Sequence, residues 1–279
     1  MDTKKVWFVT GASKGLGLTL VKRLLAEGYS VAATSRNITE LQKAISEENA
    51  SFLPLEVDLI NENSVESAVS KSVEKFGKLD VVVNNAGYGQ LGTLEEISDL
   101  ESRQNFDTNV FGSLNIIRKT MPYLREQKSG FIINIASIGG LTGEFAGWGI
   151  YCATKFAVVG FTEALAAEVK EFGVNATVVY PGYFRTDFLT GGSLRTPKTE
   201  MEEYTVARQL QTAHEKDING NQPGDPEKAA VALMELVALE NPPVHLVLGS
   251  DAFGIAGNKL NALQSEISEF KTLSTSTDY

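Results

Sequence analysis

A four-residue apolar run, Val6 to Val9, halts at Thr10-Gly11 and passes through three glycines, Gly11, Gly15 and Gly17, into a helical pattern. No other stretch restricts the fold as strongly. A strand that turns tightly into a helix through glycines brings bare backbone close to whatever lies above the turn. Gly11 and Gly15 permit backbone conformations closed to other residues, and Gly17 lets the helix pack near the strand. The helix then starts with unpaired N–H groups and the positive end of its dipole, where a pyrophosphate is the usual occupant. The first gap is one residue wider than in the common dinucleotide fingerprint, so the turn alone also fits an ordinary glycine-rich connection.

Apolar positions at Leu16, Leu20, Leu24 and Leu25 predict an amphipathic helix that stops at Glu27-Gly28. Strands are predicted at Ser30 to Ser35, Ser51 to Val57, Leu79 to Val83, Gly130 to Ala136, Val174 to Tyr180 and Val244 to Leu248. Helices are predicted at Ile38 to Glu48, Glu62 to Phe76, much of Leu100 to Leu124, Gly149 to Phe172, and from an Asp225-Pro226 start to about Leu239. Strands apolar on both faces and alternating with helices predict an α/β fold, a doubly wound parallel sheet covered on both sides. Residues 1–279 are expected to form a single domain. Leu189 to Gly224 reads as an extended polar lid or mobile insertion, and about 270–279 as a flexible tail.

With 279 residues, 43% of them hydrophobic, the chain can bury one large core. A formal net charge of −10 disfavours nucleic acid or an anionic membrane as partner. Cys152 is the single cysteine, which leaves no intramolecular disulfide framework and fits a reducing compartment. The N-terminal MDTKK shows no apolar leader pattern, and no apolar run approaches the roughly 18 residues that span a bilayer. The expectation is a soluble, cytoplasmic protein with neither a nucleic-acid nor a membrane partner. His214 and His245 are far apart and unclustered, so no metal site is expected.

The second predicted strand ends in Thr34-Ser35-Arg36-Asn37, without an acidic residue through Thr39. In a dinucleotide fold this strand end faces the adenosine ribose, where a carboxylate selects a free 2′-hydroxyl and an arginine accommodates a 2′-phosphate. Arg36, with Lys14 in the turn, points to NADP(H), against the alternative that both are solvated surface cations. Asp58 could accept from an adenine amine or equally cap a helix. Asn84-Asn85-Ala86-Gly87 would let a cofactor lie close to the sheet edge, although asparagines in turns also bind their own backbone.

Tyr151 and Lys155, four apart, share one face of a helix. A free tyrosine has a pKa near 10, and a neighbouring ammonium favours the phenolate; bringing it to neutrality needs roughly 4 kcal/mol. Ser137 follows the fifth strand at the carboxyl edge where ligands bind. Asn109 sits inside a long helix, where propensity gives it little reason to be. Phe145, Trp148, Tyr183, Phe184 and Phe188 either line an apolar pocket or pack in the core. Cys152 lacks a base that would make it a nucleophile, and Glu95-Glu96 and Glu202-Glu203 read as solvated faces.

In order and spacing, Thr10-Gly11 with Gly15 and Gly17, Asp58, Asn84 to Gly87, Asn109, Ser137, Tyr151 with Lys155, and Pro181-Gly182 with Thr186 resemble the short-chain dehydrogenase/reductase family over about Lys4 to Phe188. The resemblance implies that Tyr151 is the general acid in reduction and the base in oxidation. Lys155 would lower its pKa and bond the nicotinamide ribose, Ser137 would orient the substrate oxygen, and Asn109 would hold a water linking Lys155 to solvent. It implies an NADP(H) site over Thr10, Gly11, Ser13, Lys14, Gly15, Leu16 and Gly17. That site continues through Ser35, Arg36, Asp58, Leu59, Asn85, Ala86 and Gly87 and closes on Asn109, Tyr151, Lys155, Pro181, Gly182, Phe184 and Thr186.

Family members commonly pair through two long helices, so a homodimer or homotetramer is expected. The match fades after Phe188, in the region that shapes substrate choice. The chain is similar to the hydroxysteroid and retinol dehydrogenase-like branch, which implies a bulky, lipophilic carbonyl or alcohol. The expected activity interconverts a ketone or aldehyde and its alcohol, acting as a reductase. The alternatives are an NADP(H)-binding redox sensor without turnover, which the intact Asn109, Ser137, Tyr151 and Lys155 disfavour, and a sugar-nucleotide epimerase, which would need a larger substrate domain.

Overall fold

Alternation along the first strand decides which helices cover which face of the sheet. The computed structural model describes residues 4–45, 49–189 and 193–279. In β1 (Val6–Val9), Trp7 and Val9 point into one apolar core and Val6 and Phe8 into another. The first core takes Leu20, Val21 and Leu24 from α1 (Gly15–Ala26). The second takes Val65 and Val69 from the helix that follows β3, so both faces of the sheet are dry.

The remaining elements follow in alternation. They are β2 (Ser30–Ser35), α2 (Ile38–Ala44), β3 (Phe52–Glu56), α3 (Glu62–Phe76), β4 (Val81–Asn84), the short β5 (Gly89–Gln90), α4 (Asp99–Phe106) and α5 (Gly112–Gln127). A π-helical segment, Asp107–Phe111, joins α4 to α5. Next come β6 (Gly130–Ile135), α6 (Gly149–Val169), β7 (Val174–Pro181), β8 (Leu194–Arg195), α7 (Thr205–Thr212), α8 (Pro226–Ala238), β9 (His245–Leu248), α9 (Ser250–Glu269) and α10 (Lys271–Thr275). The main sheet has seven strands in the order β3-β2-β1-β4-β6-β7-β9, every neighbouring pair parallel. This is the expected doubly wound α/β fold. The order reverses between β1 and β4, which opens a crevice at the strands' carboxyl ends.

Local chemistry sets the helix starts. Asn37 and Asn61 accept the first N–H groups of α2 and α3, Ser98 and Glu101 form a capping box on α4, and Asp225 caps α8 ahead of Pro226. In contrast, α1 begins after Lys14 with no side-chain cap. Its free N–H groups face the crevice.

Several expectations need correction. Of the helix predicted to Glu48, the described part ends at Ala44, and 46–48 lie outside the described residues. The insertion after Leu189 is not loosely patterned. Apart from 190–192, outside the described residues, it folds as β8 beside β5, then α7, then a π-helical turn, Ala213–Ile218. A long helix not among those predicted runs over Ser250–Glu269, and Lys271–Thr275, in the segment expected to be a flexible tail, is helical with every residue exposed. Gly149–Phe172 is long and apolar enough by composition to cross a membrane, contrary to the apolar-run reading. In the fold it lies against β7 and buries Tyr151 and Lys155.

Glu96 explains why the insertion is ordered. Expected on a solvated face, its side chain is wholly buried. Its carboxylate accepts from Thr93 N at 2.7 Å and Met201 N at 2.6 Å and pairs with Arg208 Nη2 at 2.7 Å, tying α7 to the loop before α4. Burial raises its pKa, but the N–H groups of Met201 and Thr93, then Arg208, outweigh that and hold it below the ordinary carboxylate value. Glu96→Ala strands these donors, so it is expected to lower unfolding stability by about 3 kcal/mol at neutral pH in urea titrations. A depressed folded-state pKa means this stability is present above the ordinary carboxylate pKa and lost as pH falls through the folded one. The gap between wild type and variant should therefore narrow on acidification.

Candidate active site

The glycine turn closes onto the end of β4. Gly11 has φ +64°, and a Cβ there would lie 2.7 Å from Ala86 Cα. A Cβ on Gly17 would lie 2.6 Å from the Gly11 carbonyl oxygen. Glycine is thus required at position 11 by contact and dihedral, and at position 17 by contact alone. Thr10 Oγ1 accepts from Asn85 N at 3.0 Å and Ala86 N at 3.1 Å, while Asn85 Nδ2 donates to the carbonyls of Thr10 and Gly11, each at 3.0 Å. Thr10 and Gly17 therefore build the turn and do not line the cavity above it.

That cavity, about 360 Å³, runs along the crevice. Its phosphate end is lined by Gly11, Ser13, Lys14, Gly15 and Leu16. Ser35 and Arg36 border it beyond β2, and Asp58 and Leu59 beyond β3, with Arg36, Lys14 and Asp58 exposed. Asp58 Oδ1 accepts from Ile60 N at 3.2 Å, whereas the helix cap is Asn61. Asn85, Ala86 and Gly87 form the floor. Pro181, Gly182, Phe184 and Thr186 close the far side.

Tyr151, Lys155 and Ser137 meet in the middle of the cavity. The Ser137 hydroxyl hydrogen-bonds the Tyr151 phenol and accepts from Gly139 N at 3.1 Å. Lys155 Nζ lies 5.7 Å from the centre of the Tyr151 ring and donates to the Ile135 carbonyl at 2.8 Å. Burial pushes the Tyr151 phenol up and the Lys155 ammonium down to about 8; Ser137 pulls the phenol the other way. The tyrosine is thus raised rather than lowered: desolvation of Tyr151 dominates, and among its neighbours Ser137 alone lowers it.

Asn109 is placed by the π-helical segment, whose wider turn faces it inward. Its Nδ2 donates to the Tyr88 carbonyl and to Thr154 Oγ1, and its Oδ1 accepts from Tyr88 N, all at 3.0 Å. Thr154 Oγ1 in turn donates to the Tyr151 carbonyl at 2.7 Å. Asn109 is therefore a clamp between Tyr88, just ahead of β5, and the Tyr151 turn of α6. It does not line the cavity.

The other end of the cavity is aromatic. Phe145, Trp148, Tyr183, Phe184 and Phe188 all line it, and Phe145, Trp148 and Phe188 also pack together in an apolar cluster, so pocket and core are one here. Buried His214 joins them, with Nε2 2.8 Å from the Tyr183 hydroxyl. Asp251, at the start of α9, accepts from Tyr183 N at 2.7 Å, and its carboxylate occupies the place a Cβ on Gly182 would take.

Comparison with known proteins adds the decisive observation. Residues 5–194 match the family model for short chain dehydrogenase. The chain is 34% identical to oxidoreductase BOA17 of Botryotinia fuckeliana over 97% of this chain and 98% of that one. It is 36% identical to a 3-ketodihydrosphingosine reductase of Bacteroides thetaiotaomicron over 88% of each. This chain belongs to the short-chain dehydrogenase/reductase family.

Its structure superposes on a short-chain dehydrogenase from Streptomyces avermitilis with a TM-score of 0.91, 32% identity and full coverage of both chains. It also resembles ElxO with NADP bound, at TM-score 0.73 and 26% identity, covering 90% of this chain and 99% of that one. The 3-ketoacyl-(acyl-carrier-protein) reductase of Brucella melitensis complexed with NADH superposes at 0.73 and 27%, covering 88% and 96%. The short-chain dehydrogenase/reductase assignment makes the chain an oxidoreductase that uses a nicotinamide cofactor. The residues present fit such a dinucleotide. The uncapped α1 start sits under a glycine turn that no side chain fills, and one continuous cavity joins it to Tyr151.

Sequence reasoning missed Thr154, Tyr88, His214, Asp251 and the buried Glu96. Thr154 lies within the Tyr-x-x-x-Lys segment itself, three residues after Tyr151, where an i to i+3 bond on one helix face was readable. His214 and Asp251 act across long sequence separations that no local pattern carries. Among the described residues there is no cluster able to hold a metal. Because burial depresses Lys155 to about 8, its charge destabilises the fold at lower pH. Lys155→Met is therefore expected to raise Tm at pH 7, measured without added nucleotide. The gain should shrink as pH rises from about 8 toward the ordinary lysine value.

Proposed function

We propose that this chain is an NADP(H)-dependent reductase of apolar ketones or aldehydes, with Tyr151 as its proton donor. The observation that carries the reading is the position of the Tyr151 phenol. It is buried, bonded by Ser137, one helical turn from Lys155, and open to the cavity that begins at the glycine turn. When bound, the nicotinamide supplies the hydride.

The protein's own groups handle the proton and the alignment. Ser137 and Tyr151 can both donate to a carbonyl oxygen placed between them, drawing charge onto it as it develops. A phenol raised by burial keeps its proton at neutral pH, as an acid for reduction requires, and this supports the reductive direction. Lys155, held in place by the Ile135 carbonyl, has further N–H donors for the coenzyme ribose. Arg36 and Lys14 at the adenosine end, without a competing carboxylate in the Thr34 to Thr39 stretch, support a 2′-phosphate. Two relatives, a 3-ketodihydrosphingosine reductase and a 3-oxoacyl-[acyl-carrier-protein] reductase, support reduction of a carbonyl on an apolar compound. So does the aromatic lining. Exposed Leu100, Phe111 and Phe156 on the α4–α5 and α6 helices support pairing of copies there, as a homodimer or homotetramer.

Two measurements test this. Tyr151→Phe is expected to lower kcat by about 10³-fold on any carbonyl substrate, within the usual range for loss of a general acid, while the Kd for NADPH stays close to wild type. Retained turnover places the proton source elsewhere. Arg36→Asp is expected to weaken NADPH binding far more than NADH binding in fluorescence titrations, and equal losses remove the argument for the 2′-phosphate.

A further inference from the structure

We propose that Tyr183 and His214 form a polar subsite that selects carbonyl compounds carrying a hydroxyl or amino group close to the carbonyl. The inference rests on the reductase reading for the word carbonyl, but its geometry is independent of turnover.

His214 is 3% exposed, in the π-helical turn after α7. Its Nδ1 lies 2.7 Å from the Leu210 carbonyl oxygen, which can only accept, so Nδ1 carries a hydrogen. In the neutral ring Nε2 is then an acceptor, and the Tyr183 hydroxyl at 2.8 Å donates to it. The tautomer therefore fixes what Tyr183 can offer the cavity. With its one proton committed to His214, the phenol oxygen presents lone pairs alone. It accepts hydrogen bonds from a ligand and gives none.

Position sets the reach. Trp148 lies between the two centres, 5.4 Å from the Tyr151 ring and 5.0 Å from the His214 ring. By those two distances the Tyr151 and His214 ring centres are no more than about 10 Å apart. Tyr183 lines the same cavity as Tyr151 and lies near enough for its charge to act on the Tyr151 phenol, so a ligand whose carbonyl meets Tyr151 can reach Tyr183 with a nearby donor. Phe145, Trp148 and Phe188 supply the apolar part of the cavity wall and offer a ligand hydroxyl no acceptor, while Asp187, Ser193 and Gln222 also line the cavity. A donor group buried there without Tyr183 would lose its water partners, so the subsite discriminates by the cost of an unmade bond.

The geometry is held from both sides. Asp251 fixes the Tyr183 backbone at 2.7 Å, and the Glu96–Arg208 pair holds α7, which leads into the His214 turn. Tyr183 and His214 are thus preorganised rather than two surface groups that happen to meet.

The test uses α-hydroxyacetophenone and acetophenone, which differ by one hydroxyl, titrated calorimetrically into the protein with NADP⁺ present so that neither ketone is reduced. The absorbance of NADPH checks that the hydroxyl is not oxidised. Wild type is expected to bind the hydroxy ketone about tenfold more tightly than acetophenone, the worth of one hydrogen bond in a closed site. Tyr183→Phe should bring that ratio close to one. His214→Leu, which frees the Tyr183 proton, should lower the same ratio and serves where Tyr183→Phe fails to fold. A general packing defect would weaken both ketones alike and leave the ratio unmoved. Equal wild-type affinities, absence of binding by both ketones, or a ratio that survives in both variants overturns the subsite. A preference that holds while NADPH is oxidised with neither ketone leaves the subsite standing and removes the reductase reading.

Discussion

Everything in the crevice depends on how closely the β1–α1 turn approaches the end of β4. The approach is so tight that a methyl group at position 11 would fall 2.7 Å from Ala86 Cα, and one at position 17 would fall 2.6 Å from the Gly11 carbonyl. Thr10 and Asn85 convert this proximity into a lattice of four hydrogen bonds between the two loops. The bonds satisfy backbone groups that the turn would otherwise leave buried and unpaired, each a cost of about 1–3 kcal/mol. With the two loops locked together, the free N–H groups of α1 and the floor at Ala86-Gly87 hold a fixed relation to each other. A binding site made of backbone is rigid for that reason, and the side chains around it are free to specialise.

The surroundings of Tyr151 are built by the opposite means, from side chains that ordinary helix propensity disfavours. Asn109 interrupts the α4–α5 helix with a π-helical turn, and Thr154 sits in α6 with its hydroxyl turned to the backbone. Each is a poor local choice. Together they link Tyr88, just ahead of β5, to the Tyr151 carbonyl through bonds of 3.0 and 2.7 Å. Burial then acts on what they position, raising the phenol and lowering the ammonium. Tight placement and perturbed protonation have one cause here: the same desolvated packing that aligns the Tyr151 hydroxyl also alters its acidity.

Legibility in the sequence followed the range of the interaction. The seven strands and the helices between them were readable because β1 alternates its two faces and because apolar helix positions recur at helical spacing, both properties of a short window. The tight turn under the cavity was readable for a similar reason, since Gly11, Gly15 and Gly17 lie within one strand-to-helix connection. Tyr151 and Lys155 were readable as neighbours on one helix, but their protonation was not. It is set by how much of α6 is buried, and no spacing reports burial. Asn109 was recognisable as an anomaly in a helix while its partners, Tyr88 and Thr154, were not.

The insertion shows where that limit lies and why. Thr205–Thr212 is too short to announce itself as a helix, and isolated helices of this length are marginal in water. It exists because Glu96, more than a hundred residues earlier, has lost its water and must find donors. It finds them in Met201 N and the Arg208 guanidinium. A glutamate pair beside a loop looks like solvated surface until the segment that covers it is known. Once α7 is anchored there, the π-helical turn that follows carries His214 under Tyr183, so one buried charge near α4 ends up shaping the substrate end of the cavity. Replacing the Glu96–Arg208 pair by apolar residues could leave the fold as stable, but it would remove the directional bonds that set the register of α7, and with it the placement of His214.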